Sequence, residues 1–191
     1  MAIVVGVAFL TVALALIALT LLLILRIGFG RLESAIGIER DGPKRGIAAP
    51  EWRRPDFSGT EQGSPSGSRW QILLFADHSL ASFPDLVAGS NRMHADIPDF
   101  EVVVLTRKTA NLNAATAREL GIEAPIVPVD QTFYDRFNVR VMPYGVLLDP
   151  QGIVRWASVA SHEAPLRREL RLAREDAAAD QAIASVEGAL A

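Results

Sequence analysis

The chain has 191 residues, of which 50% are apolar, and its 22 acidic and 19 basic side chains give a formal net charge of −3. It contains no cysteine, which excludes disulfide bonds, thiolate metal sites, iron–sulfur ligation and catalytic thiols. Binding to nucleic acid requires clustered Lys and Arg on a basic domain. The slight acidic excess therefore predicts no nucleic-acid partner.

Residues 1–29 are predicted to form a transmembrane anchor. The first 25 residues, Met1 to Leu25, carry no charged side chain and are built almost entirely of Ala, Val, Ile and Leu. A helix of that length extends roughly 37 Å, enough to cross a hydrocarbon layer of about 30 Å. A cleaved signal peptide is the alternative, but it needs a basic start and a shorter apolar core. We therefore expect an uncleaved, single-pass anchor in the cell membrane.

Residues 30–68 are predicted to be a tether that leads into the folded domain. Glycines and prolines interrupt the segment, and its last part, residues 58–68 (SGTEQGSPSGS), is nearly free of apolar side chains. Such a composition is typical of loops and linkers. Trp52 and Phe57 are exceptions, and we expect both to pack onto the domain.

Residues 69–178 are predicted to form an α/β domain in which strands and helices alternate. Apolar runs of strand length indicate a sheet covered on both faces, and the alternation predicts mainly parallel strands. A hairpin around residues 150–152 and a final helix with an apolar stripe complete the domain, followed by an Ala-rich tail at 179–191. The predicted strands are 70–76, 101–106, 125–129, 141–149 and 153–160, and the predicted helices are 84–95, 113–120, 131–137 and the segment containing 166–177.

Three short stretches, taken with this order of elements, carry a family resemblance. They are residues 46–52 (GIAAPEW), residues 138–144 (NVRVMPY) and residues 147–152 (LLDPQG). With them the chain resembles the thioredoxin-like fold in its redoxin form, and in particular the membrane-anchored accessory proteins of methylamine utilisation and related anchored thiol–disulfide oxidoreductases. The resemblance implies a three-layer domain with a central mixed sheet, and it places Pro143 at the family's cis-proline.

Two arguments point to opposite sides of the membrane for this domain. Arg26, Arg31 and Arg40 follow the apolar span, whereas only the α-amino group precedes it, which favours a cytoplasmic domain. Large domains can be translocated despite such charges. The resemblance implies an extracytoplasmic domain, and we follow it.

The catalytic motif of the family is absent from the chain. In the family a Cys-x-x-Cys motif begins five residues after the first core strand, at a helix start that lowers the pKa of the first thiol. Counting from Phe75 places Leu80 and Phe83 at the two cysteine positions. Neither hydrocarbon side chain can ionise or attack sulfur. The redox reaction of the family is therefore not inherited, and we predict no catalytic residue.

Ser79 and Ser82 are the hydroxyls nearest to these positions. Ser82, three residues before Asp85, is predicted to cap the following helix. A Ser/His/Asp arrangement with Asp77 and His78 is the alternative, although neighbours on an irregular loop rarely adopt triad geometry. The three histidines of the chain are scattered without paired spacing, so we predict no metal and no other cofactor.

The resemblance implies that the backbone beside Pro143 binds an extended peptide in the manner of a β-strand, a mode that needs no cysteine. Packing of Phe83 in the core is the alternative to its exposure in such a groove. The predicted partner-binding groove comprises Leu80, Ser82, Phe83, Met142, Pro143 and Tyr144. These residues favour a membrane-tethered, redox-inactive module that binds a protein partner as an accessory or assembly factor.

A thiol-independent enzyme is the alternative function. Ser79 or Ser82 would activate the sulfur of a glutathione bound beside Pro143, which resembles the logic of glutathione transferases. The additional helical domain of those enzymes is missing. Overall similarity also favours the label of thiol–disulfide oxidoreductase, for which these residues lack the chemistry.

Overall fold

The computed structural model describes residues 41–107, 114–160 and 162–189. The predicted anchor, residues 1–29, and the first part of the predicted tether lie outside these residues. Over the three described ranges, no helix combines the length and the apolar character needed to cross a bilayer.

The strands and helices alternate in the predicted order after an initial hairpin. The strands are β1 (Trp52–Pro55), β2 (Glu61–Ser64), β3 (Trp70–Phe75), β4 (Phe100–Arg107), β5 (Ile126–Val129), β6 (Tyr144–Leu148) and β7 (Val154–Val159). The helices are α1 (Phe83–Asp96), α2 (Ala114–Glu119), α3 (Gln131–Arg136) and α4 (Glu163–Ala189).

The central sheet is mixed, as the resemblance implies. Its strand order is β5-β4-β3-β6-β7. β3 pairs in parallel with β4, and β4 with β5, whereas β6 lies antiparallel to both β3 and β7. The parallel strands are joined by helical crossovers, and β6 and β7 form the predicted hairpin.

Alternate residues of the central strand face two separate cores. Ile72 and Leu74 of β3 belong to the core that contains α1 and α4, whereas Leu73 and Phe75 belong to the core that contains α3. Since successive side chains of a strand point to opposite faces, one apolar run supplies both cores. Burying each such side chain contributes about 1.5–3 kcal/mol. The result is the three-layer domain that the sequence indicates.

Three boundaries differ from the predictions. The segment expected to be a tether contains the β1–β2 hairpin, and Trp52 within it is 5% exposed with its ring 5.5 Å from that of Phe133. β6 begins at Tyr144 rather than at 141, because Pro143 has no N–H to donate to a ladder and pairing with β3 ends at Tyr144. α4 continues to Ala189, so the described part of the predicted tail extends a helix.

Candidate functional site

Three segments meet at one edge of the central sheet. Phe75, the last residue of β3, is paired with Leu105 of β4 on one side and with Tyr144 of β6 on the other. The residues after β3, the end of β4 and the residues before β6 therefore lie together. Ligands of open α/β sheets bind outside the carboxyl ends of parallel strands. We call residues 77–82, Arg107 and residues 141–143 the candidate site.

The two positions where the family has cysteines differ in exposure. Leu80 is partly buried and packs against the core beneath α1. Phe83, the first residue of α1, is 1% exposed and is part of that core. A phenyl ring with almost no accessible surface cannot contact a partner, so the prediction that Phe83 lines the groove is corrected. Its predicted alternative, packing in the core, is what the structure has.

Tyr144 is also inside the domain rather than in a groove. Its side chain is 0% exposed, and its hydroxyl donates a 2.6 Å hydrogen bond to the carbonyl oxygen of Asp41. Burial raises the pKa of Tyr144 to about 12, and the negative charge of Asp41 adds to the shift. Tyr144 is therefore the second residue that does not line the predicted groove. Its ring is buried, and its hydroxyl is bonded to the segment that precedes β1.

The backbone before β6 is one accessible part of the candidate site. The peptide bond between Met142 and Pro143 is cis, as the resemblance implies, and both side chains are partly buried. The Pro143 carbonyl accepts a hydrogen bond from the Ala160 N–H at 3.1 Å. Val141 is 39% exposed, and the peptide groups of Val141 and Met142 make no backbone hydrogen bond to any described residue.

The polar residues after β3 do not form a triad. Oδ1 of Asp77 accepts a 3.0 Å hydrogen bond from the Ser79 N–H and lies 3.3 Å from Nδ1 of His78. No hydrogen bond between described residues joins a hydroxyl of Ser79 or Ser82 to His78. Ser82 stands at the predicted N-cap position, but its side chain makes no capping bond. Nothing at this edge of the described structure activates either serine, and no cluster of three or more potential metal ligands occurs in the described ranges.

Sequence reasoning missed Tyr134 and Arg107. The Tyr134 hydroxyl donates to the Leu105 carbonyl at 3.3 Å and lies 3.6 Å from Sδ of Met142. Burial raises the pKa of Tyr134 to about 12, an effect that Arg107 opposes and Asp77 increases, so the phenol stays protonated near neutral pH. The Arg107 guanidinium lies 5.2 Å from the centre of the Tyr134 ring. The basic pair Arg107–Lys108 at the end of an apolar run was the available sequence signal.

Comparison with solved structures defines the fold class. A thiol:disulfide interchange protein from Chlorobium tepidum matches with a TM-score of 0.55 and 18% identity, over 69% of this chain and 98% of that one. Peroxidoxin BcpB from Mycobacterium tuberculosis matches with a TM-score of 0.58 and 13% identity, over 69% of this chain and 97% of that one. The protein therefore has a thioredoxin-like fold.

A curated relative supports the narrower resemblance. The chain is 30% identical over 118 residues to the methylamine utilization protein MauD of Methylorubrum extorquens, a match that covers 60% of this chain. It spans 57%, somewhat more than half, of that protein's length. No protein-family profile matches the chain.

Proposed function

We propose that this protein is a membrane-tethered, redox-inactive thioredoxin-like module that binds an extended segment of a protein partner as an accessory or assembly factor. The observation that carries the proposal is a juxtaposition within the candidate site. Hydrocarbon occupies the positions of the family's thiols, while the Val141–Met142 backbone of the same site makes no backbone hydrogen bond to a described residue. The fold provides a surface on which an extended segment can bind, whereas Leu80 and Phe83 replace the thiols that the family's redox reaction requires.

The redox-inactive part of the proposal follows from the reaction itself. Thiol–disulfide interchange, which several structurally similar proteins carry in their names, proceeds through attack of a thiolate on a disulfide sulfur. Leu80 and the buried Phe83 provide no sulfur, and none of the 191 residues is cysteine. The domain therefore has no group of its own that can be cyclically oxidised and reduced in that reaction.

The binding part of the proposal rests on the segment before β6. A strand added alongside Val141 and Met142 would pair with their free N–H and C=O groups, and each such hydrogen bond contributes about 0.5–1.5 kcal/mol net. Exposed apolar surface lies within and beside this segment, since Val141 is 39% exposed and Val159, paired in register with Tyr144, is 44% exposed. Main-chain pairing would give affinity, and these side chains would contribute apolar contact.

The tether and the side of the membrane are the sequence-based parts of the proposal. The apolar stretch of residues 1–29 supports a single-pass anchor, and the resemblance supports an extracytoplasmic domain. Protease added to intact spheroplasts should digest the domain, whereas a cytoplasmic domain would be protected until the membrane is opened. Extraction of the full chain by alkaline carbonate would contradict the anchor.

Site-specific photo-crosslinking tests partner binding in the membrane. A photoreactive residue placed at Val141 of the full chain should yield a discrete crosslinked adduct. The matched control is Leu172 on α4, which is 41% exposed and therefore as accessible as Val141. The same pattern of adducts from both positions, or none from Val141, would contradict the proposal. Dithiol-dependent reduction of a disulfide substrate by the purified chain would contradict the redox-inactive part.

A further inference from the structure

Arg107 differs from the other arginines that stack on aromatic rings in the described structure. Arg54 lies 5.4 Å from the centre of the Phe133 ring and also pairs with Asp130 at 3.4 Å. Arg174 likewise lies over a tryptophan ring and pairs with an aspartate at 2.7 Å. Arg107 is stacked on Tyr134 at 5.2 Å, but no carboxylate of the described residues lies within salt-bridge distance of it.

The guanidinium of Arg107 is partly desolvated, as that of Arg174 is, but among the described residues it has no ion pair like that of Arg174 with Asp99. The Nε of Arg107 is buried and has no hydrogen-bond partner among the described residues. An ionised group removed from water without a hydrogen-bonding or charged partner is destabilised. Stacking on an aromatic face recovers only part of this cost. The planar fork of the guanidinium remains available for a carboxylate, which it binds through two parallel hydrogen bonds.

The neighbouring acid does not fill this role. The charges of Asp77 and Arg107 shift the pKa of Tyr134 in opposite directions, so both residues lie near this side chain. Its carboxylate is directed to its own loop, because Oδ1 accepts from the Ser79 N–H at 3.0 Å and lies 3.3 Å from Nδ1 of His78. Asp77 therefore does not supply an ion-pair partner for Arg107.

Tyr134 contacts both Arg107 and the side chain of Met142, a residue whose backbone the proposed partner would pair with. One face of the tyrosine ring carries the guanidinium, and the hydroxyl of the same ring lies 3.6 Å from Sδ of Met142. The Tyr134 ring and the Met142 side chain thus lie between Arg107 and the Met142 backbone. Residues of a strand advance about 3.3 Å each. A side chain one or two positions along the bound strand from the residue paired with Met142 can therefore reach the guanidinium.

We infer that the segment bound at Val141–Met142 carries an acidic side chain, Asp or Glu, that forms a bidentate ion pair with Arg107. This inference rests on the proposed function and specifies the partner's chemistry. Main-chain pairing is tolerant of sequence, so the ion pair supplies selectivity: it favours an acidic residue and opposes a basic one at that position. Arg107 is thus a specificity-determining residue of the candidate site.

Synthetic peptides test the inference on the full chain in detergent micelles. The probes are strand-forming peptides of about nine residues in which one position is Glu, Gln or Lys and the rest is constant, scanned along the peptide. Charge-assisted pairs contribute about 1.5–3 kcal/mol, so at the best position the Glu peptide should bind roughly ten- to hundredfold more tightly than the Gln peptide. Raised salt should reduce this ratio.

Variants of Arg107 distinguish a specific ion pair with the peptide from a general effect of the protein's positive charge. R107Q should abolish the preference for Glu over Gln, and R107K, which keeps the charge but not the fork, should retain part of it. The matched control is R69Q, because Arg69 is exposed and immediately precedes β3, at the opposite end of the sheet from Arg107. That variant should leave the preference unchanged. Urea unfolding establishes that each variant is folded.

The outcomes distinguish failure of the inference from failure of the proposed function. Peptides that bind with equal affinity whether they carry Glu or Gln, or a preference that survives R107Q, would overturn the role of Arg107 and leave peptide binding intact. Absence of binding by every peptide at about 1 mM, together with no adduct from Val141, would overturn both. Loss of the preference in R107Q and not in R69Q supports the inference.

Discussion

Replacing Phe83 by alanine should destabilise the domain from within. Phe83 is 1% exposed and lies in the core between the sheet, α1 and α4. Truncation of a buried phenylalanine to alanine costs about 3–5 kcal/mol, because apolar contacts are lost and a cavity remains. Domains unfold with only about 5–15 kcal/mol, so this single change is expected to remove a large share of the stability.

Leu80→Ala is the matched control, since it removes hydrocarbon from the other former thiol position. Leu80 is only partly buried, so its truncation should cost about 1 kcal/mol. Urea unfolding of the full chain in detergent measures both, with Trp70 and Trp52 as fluorescent reporters in the two cores. Equal losses for the two variants, or a loss below about 1 kcal/mol for Phe83→Ala, would refute the assignment of Phe83 to the core.

Two further pairs of variants test contacts outside the candidate site. Gly42→Ala should destabilise the protein more than Gly46→Ala: both glycines have positive φ, 86° and 80°, but only at Gly42 would a Cβ overlap the Tyr144 side chain. Asp149→Asn should cost about 2–3 kcal/mol, whereas Asp180→Asn should change little. Arg155 pairs with both carboxylates, but the Asp149 side chain is 3% exposed and that of Asp180 is 65% exposed.

Urea unfolding also measures these pairs, and each has an outcome that contradicts its reason. Equal losses at Gly42 and Gly46 would mean that the positive φ alone determines the cost. Equal losses at Asp149 and Asp180 would mean that burial does not decide the strength of their ion pairs.

The elements of the domain were predictable because their side chains repeat with the period of the structure they form. The run in β3 is apolar at every position except Gln71, as expected of a strand with a core on both faces, and it is buried along its whole length. The β1–β2 hairpin was not predictable in the same way. Its strands contain few apolar residues and are held by pairing with each other and by Trp52, a contact that sequence spacing does not reveal.

The sequence by itself determined which chemistry is excluded, because a thiol reaction requires sulfur and the identity of residues 80 and 83 is independent of the fold. It also determined the order of strands and helices, through the apolar periodicity. Only the tertiary structure decided that Phe83 is buried while Leu80 is partly exposed, since both are simply apolar in the sequence. Only the tertiary structure placed Arg107 and Met142 in contact with the same side chain, Tyr134. Such contacts arise when segments that are distant in sequence pack around a shared sheet edge.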